Sequence, residues 1–179
     1  MRKLQLDELG RVSVERYKAL PKVPVTVVLD NIRSGLNVGS ILRSCDAFSI
    51  EKVVLTGITA SPPHKEILKT AIGAERSVNW TYEKDIKAYL TKASQEGKMI
   101  LGIEQTDQSA KLNEVQLEPD KQYVVVFGNE VEGVSIEALH VLDTAIEIPQ
   151  FGTKHSLNVA VCAGIVLWHF HTQLRAASH

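Results

Sequence analysis

The chain has 179 residues, 20 of them basic and 21 acidic, with a formal net charge of -1 and a composition that is 44% hydrophobic. These values are typical of one globular domain with a substantial core. They argue against a basic protein that binds nucleic acid non-specifically over its whole surface. No apolar run reaches the roughly 18 residues of a membrane span, and the N-terminus lacks an apolar signal segment, so we expect a cytoplasmic protein.

Residues 1–22 are predicted to form a basic helical extension that precedes the main domain. Their basic residues are Arg2, Lys3, Arg11, Arg16, Lys18 and Lys22, against the acidic Asp7, Glu8 and Glu15. Because the whole chain is not basic, an RNA partner would have to be held by a local patch of this kind. A solvated terminal helix explains the same charges.

Strand and helix patterns alternate along residues 23–179. The predicted strands are residues 23–29, 52–56, 99–103, 123–127 and 145–148. The predicted helices are residues 38–48, 64–71, 83–95 and 135–142, and a long apolar helix that begins with Ser156 as its N-cap. Residues 104–120 are predicted to be an acidic surface loop with little order. The alternation predicts an α/β fold whose mostly parallel sheet is covered by helices on both faces.

The first of these helices carries Gly39 and Arg43 one turn apart, opposite its apolar stripe. A glycine at this place would leave room for a ligand to approach the arginine. A solvent-exposed arginine on a surface helix is the plainer interpretation.

The last helix is apolar on every side, so it must be buried in its own domain or against a partner. Up to Trp168 its only polar side chains are those of Ser156 and Asn158, in the predicted first turn. The free backbone N–H groups and the positive end of the helix dipole at this turn would favour binding of an anionic or electron-rich ligand. An ordinary capped helix in the core has the same sequence pattern.

Loops rich in glycine and asparagine follow three of the predicted strands, at residues 36–39, 128–133 and 150–156. Since ligands bind at the carboxyl ends of parallel strands, we expect these loops to form one site. The sequence has no P-loop, no G-x-G-x-x-G after a strand and no G-x-S-x-G, which argues against nucleotide hydrolysis, hydride transfer and acyl hydrolysis. Cys45 and Cys162 have no metal-ligand spacing and the histidines are scattered, so no metal is expected.

The three loops resemble the signature motifs of the SpoU (TrmH-type) RNA ribose 2'-O-methyltransferases of the SPOUT class. The first motif, N-x-G-x-x-x-R, lies at residues 37–43 and continues as D-A-F at residues 46–48. The second lies at residues 128–135, and the third at residues 148–152 and 156–159. The motifs occur in the order of the family, and the resemblance covers residues 23–174.

The resemblance implies a SPOUT methyltransferase domain over residues 23–179, with a C-terminal trefoil knot that binds S-adenosylmethionine. It also implies a homodimer whose active site uses both subunits. Carried over by motif, the catalytic residues are Asn37, Arg43, Glu130, Ser156 and Asn158. The cofactor-binding residues are Phe127, Gly128, Asn129, Gly133, Ile148, Gln150 and Leu157.

The implied activity is methyl transfer from S-adenosylmethionine to a ribose 2'-hydroxyl of structured RNA, with tRNA somewhat favoured over rRNA. Arg43 would bind a neighbouring phosphate and stabilise the developing oxyanion, because a guanidinium is a poor general base. Two alternatives stay open. One is a catalytically silent RNA-binding module of the same fold, and the other is an α/β enzyme that uses a different nucleotide.

Overall fold

In the computed structural model, which describes residues 1–5 and 7–176, seven strands form one all-parallel sheet. The strands are β1 (Val23–Asp30), β2 (Ile50–Thr56), β3 (Trp80–Glu83), β4 (Met99–Ile103), β5 (Ala110–Lys111), β6 (Tyr123–Phe127) and β7 (Thr144–Glu147). They lie in the order β3-β2-β1-β6-β4-β7-β5. Strands β1 and β6 are therefore neighbours in the middle of the sheet, which explains their continuous runs of buried β-branched residues.

Helices cover both faces of the sheet. They are α1 (Val14–Ala19), α2 (Gly35–Ala47), α3 (Lys65–Ala71), α4 (Ala74–Ser77), α5 (Ile86–Gln95), α6 (Ile136–Leu139) and α7 (Val159–Ala176). On one face, α2, α3 and α7 pack against alternate residues of β1 such as Val27 and Leu29. On the other face, α5 and α6 pack around Val28, Leu90 and Ala138. The predicted α/β fold with a parallel sheet and helices on both faces is confirmed.

Two short strands were absent from the prediction. The prediction assigned Glu83 to a helix, but it ends β3, and α5 begins only after Asp85, whose side chain accepts a hydrogen bond from the Ala88 N–H at 2.9 Å. β5 lies within residues 104–120, where Ala110 pairs with Ile146 and Leu112 is buried. The prediction of a poorly ordered loop is therefore wrong, because edge strands of two to four residues carry too few side chains to show alternation.

The predicted start of the last helix is also wrong. α7 begins at Val159, and the side-chain oxygen of Asn158 accepts hydrogen bonds from the N–H groups of Ala160 at 2.9 Å and Val161 at 3.3 Å. Asn158 thus provides the hydrogen-bond acceptor for the free N–H groups in the first turn of α7. Ser156 lies two residues earlier, in an exposed loop.

Gly39 has a packing role in α2. A Cβ atom at this position would lie 2.2 Å from the Thr70 hydroxyl and 2.4 Å from the backbone oxygen of Ile67, both in α3. The interpretation that Gly39 leaves room for a ligand is wrong, because α3 already fills that room.

We therefore expect Gly39→Ala to lower the free energy of unfolding by about 1–3 kcal/mol, since part of the clash is with backbone that no rotamer change relieves. Urea titration would measure the effect. The matched control is Gly152→Ala in the loop before α7, where an added Cβ meets no atom within 4 Å. That control is expected to be neutral or stabilising by up to about 1 kcal/mol. Equal stabilities of the two variants would contradict the packing role of Gly39.

Helix α1 packs against the end of α2 through Tyr17. Tyr17 of α1 is buried, and its hydroxyl donates to the backbone oxygen of Asp46 at 3.1 Å. The ammonium of Lys22 lies 3.1 Å from the centre of the Tyr17 ring.

Across the residues that the structure covers, no helix has the length and apolar character needed to cross a membrane.

Candidate active site

The carboxylate of Glu130 joins the loop after β6 to the start of α2. It accepts hydrogen bonds from the backbone N–H groups of Arg33 at 2.9 Å and Ser34 at 3.1 Å, and from the side-chain amide of Asn37 at 2.9 Å. Ser34 in turn is the N-cap of α2 and accepts from the Asn37 N–H. Glu130 therefore fixes the orientation of the Asn37 amide.

Asn37 also joins the third loop. Its side-chain oxygen accepts a hydrogen bond from the side-chain nitrogen of Asn158 at 3.2 Å. Because Asn158 caps α7, a continuous chain of hydrogen bonds runs from Glu130 through Asn37 to the first turn of α7. The structure thus brings three of the five predicted catalytic residues together, although Asn37 lies 93 residues before Glu130 and 121 residues before Asn158 in the sequence.

The hydrogen bonds to Glu130 set its ionisation. Partial burial acts to raise the pKa of this carboxyl, but the hydrogen bonds from Arg33, Asn37 and Ser34 outweigh it, so that the pKa lies below its usual value. A carboxyl whose pKa falls on folding adds stability above its unfolded-state pKa. That contribution is lost as the pH falls through the lower pKa of the folded state.

We accordingly expect Glu130→Gln to destabilise the protein near neutral pH and to matter less in acid. The difference in free energy of unfolding from wild type should shrink as the pH is lowered from about 6 toward 3, because the wild-type carboxyl then becomes protonated. Urea titrations at several pH values would measure it, with Glu137→Gln on α6 as the control for an exposed carboxyl. A difference that stays constant over this pH range would rule out the role assigned to the Glu130 carboxylate.

A cavity of about 460 Å³ opens beside this network, at the carboxyl ends of β4, β6 and β7. Its volume lies in the usual range for small-molecule sites. All seven predicted cofactor-binding residues line it, namely Phe127, Gly128, Asn129, Gly133, Ile148, Gln150 and Leu157. Of the predicted catalytic residues, Glu130, Ser156 and Asn158 also line it, whereas Asn37 reaches it through its bonds to Glu130 and Asn158.

Asn129 shapes the cavity wall. Its side chain accepts from the N–H groups of Val131 and Glu132 and donates to the backbone of Asn31, while its own backbone pairs with Gly133. This pairing brings Gly128 so close that a Cβ there would lie 2.1 Å from the Gly133 carbonyl carbon. The loop between Gly128 and Gly133 therefore folds back on itself beside the cavity.

The cavity is acidic. Among the residues that the structure describes, its lining includes the glutamates Glu104, Glu130, Glu132 and Glu147, and no lysine, arginine or histidine. Such a lining favours a cationic ligand and disfavours phosphate groups. Sequence reasoning missed Glu104 and Glu147. Their position directly after or at the end of a strand was the available signal, because parallel strands end at one edge.

Arg43 lies apart from this cavity within the chain. Its exposed side chain lines a separate cleft with Lys69 and Thr70. Arg43 follows Asn37 by six residues in α2, which places it about 9 Å further along the helix axis and on a different side. The chain alone therefore does not bring Arg43 to the other predicted catalytic residues.

Among the described residues no group of three His, Cys, Asp or Glu side chains could hold a metal ion.

Comparison with known proteins identifies the family. A profile of the SpoU rRNA Methylase family matches residues 24–168. The chain belongs to this family. The resemblance inferred from the three motifs is thus confirmed, and the converging loops of this site are the segments that carry those motifs.

Individual relatives share moderate sequence identity with this SpoU family member. The tRNA (guanosine(18)-2'-O)-methyltransferase of Thermus thermophilus is 29% identical over 166 residues, which are 93% of this chain and 84% of that protein. The chain spans only 9% of the mouse tRNA (guanosine(18)-2'-O)-methyltransferase, to which it is 30% identical over 152 residues.

Solved structures share the fold. The Aquifex aeolicus TrmH/SpoU tRNA modifying enzyme superposes with a TM-score of 0.82 at 26% identity, over 92% of this chain and 84% of that one. An AdoMet-bound rRNA methyltransferase from Sinorhizobium meliloti superposes with a TM-score of 0.78 at 23% identity, over 88% of this chain and 60% of that one.

Proposed function

We propose that this protein transfers a methyl group from S-adenosylmethionine to a ribose 2'-hydroxyl of structured RNA in the cytoplasm. The observation that carries the proposal is the hydrogen-bonded chain Glu130–Asn37–Asn158 at the edge of an acidic cavity. The named activities of the relatives from Thermus and Aquifex support it.

The cavity suits S-adenosylmethionine better than a phosphate-bearing nucleotide. That cofactor supplies an activated methyl group on a positively charged sulfur. Apolar side chains of Phe127, Ile148 and Leu157 offer walls for a flat base, and the backbone between Gly128 and Gly133 offers polar groups. The surrounding glutamates would repel the pyrophosphate of a dinucleotide, which disfavours the alternative of a nicotinamide enzyme.

The side chains of the site have the chemistry for alignment and charge stabilisation. Glu130 and Asn158 hold the Asn37 amide in one orientation, so Asn37 can position a ribose without reorganising. We propose that Arg43 binds the phosphate beside that ribose and stabilises the oxyanion as the hydroxyl loses its proton. Ser156, at the cavity edge, would complete the polar rim.

Arg43 can join such a site through a second copy of the chain. α7 leaves Val161, Ile165 and Trp168 exposed by 53%, 41% and 57%, and these side chains share one face of the helix. An exposed apolar stripe of this kind indicates a helix–helix contact. We propose a homodimer across this face, in which Arg43 of one chain serves the cavity of the other.

We further propose that the C-terminal part of the chain forms the trefoil knot of the family. Hydrogen bonds between segments that lie before and after β7 in the sequence support this proposal. The side chain of Gln105 donates to the backbone oxygen of His155 at 2.8 Å, and Gln173 of α7 binds the backbone of both Val115 and Leu117. The segment between β4 and β6 is thus tied to the segment after β7 at two places.

The test is transfer of tritium from methyl-labelled S-adenosylmethionine to bulk RNA that has been separated into tRNA and rRNA. We expect label in the tRNA fraction, because the tRNA-modifying relatives from Thermus and Aquifex match along most of their own length. Nuclease digestion should release the label as a 2'-O-methyl nucleoside. Binding of RNA without any incorporation would overturn the proposal in favour of a silent RNA-binding module.

A further inference from the structure

A second surface cleft lies between α2 and α3. Its lining consists of Arg43 and Lys69, three hydroxyl residues and the side chains of Ala47 and Phe48, with a volume of about 490 Å³. Within the described part of the chain, this cleft contains two cations and no carboxylate, which is the reverse of the acidic cavity at the strand ends. This separation of charge indicates two sites for ligands of opposite charge.

Both cations of the cleft are available to a ligand. Over the portion of the chain that the structure describes, neither Arg43 nor Lys69 takes part in an ion pair or a side-chain hydrogen bond. The hydroxyls of Ser40, Ser44 and Thr70 instead donate to backbone oxygens, at 2.9, 3.2 and 2.8 Å. The free hydrogen-bond donors of the cleft are therefore its two cations.

The two cations are held on a rigid frame. Gly39 allows α2 and α3 to touch, and the Thr70 hydroxyl bridges from α3 to the backbone oxygen of Leu36 in α2 at 2.8 Å. The same α2 carries Asn37, which the network with Glu130 and Asn158 fixes. A ligand held between Arg43 and Lys69 would thus have a defined relation to the start of α2.

We propose that Lys69 is a substrate-positioning residue that binds, together with Arg43, a phosphodiester of the RNA. This inference rests on the proposed function and extends it by naming a second cation of the RNA site. A planar guanidinium can hold a phosphate by two parallel hydrogen bonds, and an ammonium beside it adds a point charge. Such contacts set the register of RNA without reading its sequence.

Lys69→Glu provides the test, with RNA binding measured as a function of salt concentration on the fraction that accepts methyl groups. Losing one phosphate contact should make the slope of log K against log salt shallower by about 0.7–0.9. We expect KM for RNA to rise about 3- to 10-fold at low salt, while kcat at saturating RNA and the affinity for S-adenosylmethionine change little. Lys69→Arg should retain most of the binding.

Lys92→Glu is the matched control, because it makes the same charge change on α5, on the opposite face of the sheet. It should leave both the salt slope and KM near those of wild type. If Lys69→Glu and Lys92→Glu have the same slope and KM as wild type, the RNA does not contact Lys69. That failure is distinct from failure of the proposed function, which would appear as a wild-type protein that transfers no methyl group.

Discussion

Arg43→Ala is expected to lower the rate of methyl transfer about 100- to 1,000-fold, which is the usual cost of removing a donor to a developing oxyanion. The variant should still fold, because within the described part of the chain the Arg43 side chain is exposed and makes no ion pair or side-chain hydrogen bond. Its affinity for S-adenosylmethionine should stay within a few-fold of wild type, since Arg43 is absent from the cavity of its own chain and is proposed to bind the RNA phosphate, not the cofactor, at the cavity of the other chain. Single-turnover transfer to RNA and calorimetric titration of the cofactor measure the two quantities separately.

Arg43→Lys should also lose most of the activity, because an ammonium lacks the planar fork that can hold a phosphate and an oxyanion together. Arg76→Ala is the matched control: this arginine is exposed on α4 and lines neither the cavity nor the cleft between α2 and α3. Transfer by Arg43→Ala at a rate near that of wild type would show that the guanidinium does not act in the reaction.

Features that depend only on the strands being parallel could be predicted from the sequence, whereas the order of the strands was not predicted. Apolar runs identified β1 and β6, and the carboxyl ends of parallel strands lie at one edge, so the loops that follow them were expected to form one site. The meeting of Asn37, Glu130 and Asn158 follows from this geometry. The motifs added the identity of the family, which no periodicity could have supplied.

Features that depend on contacts between elements distant in sequence could not be predicted. The role of Gly39 is set by Thr70 and Ile67, about thirty residues away, and nothing near Gly39 in the sequence indicates which helix it meets. The position of Glu104 directly after β4 was a signal for the cavity, but its carboxylate also accepts a hydrogen bond from the Val134 N–H, 30 residues away, and no local pattern indicates that contact. Short edge strands such as β5 leave no pattern for sequence reasoning to read.

The placement of Arg43 can be resolved by mixing two inactive variants. Leu157→Lys is expected to lose cofactor binding, because it puts a cation into the cavity that would hold a positively charged sulfonium. Leu157 is partly exposed, so the lysine can be accommodated without unfolding the chain, and Leu157→Met is the volume-conserving control. Each of Leu157→Lys and Arg43→Ala should be inactive alone.

A mixture of the Leu157→Lys and Arg43→Ala variants should recover activity if each active site takes Arg43 from one chain and the cavity from the other. After the two variants are unfolded and refolded together, half of the dimers are mixed, and each mixed dimer holds one site with both parts intact. We therefore expect about a quarter of wild-type activity per chain. If Arg43 instead serves the cavity of its own chain, every site carries one defect and the mixture stays inactive. Tag-specific capture would show that mixed dimers have formed. If the mixture is still inactive, an active site shared between two chains is contradicted, and the dimer does not place Arg43 at the cavity.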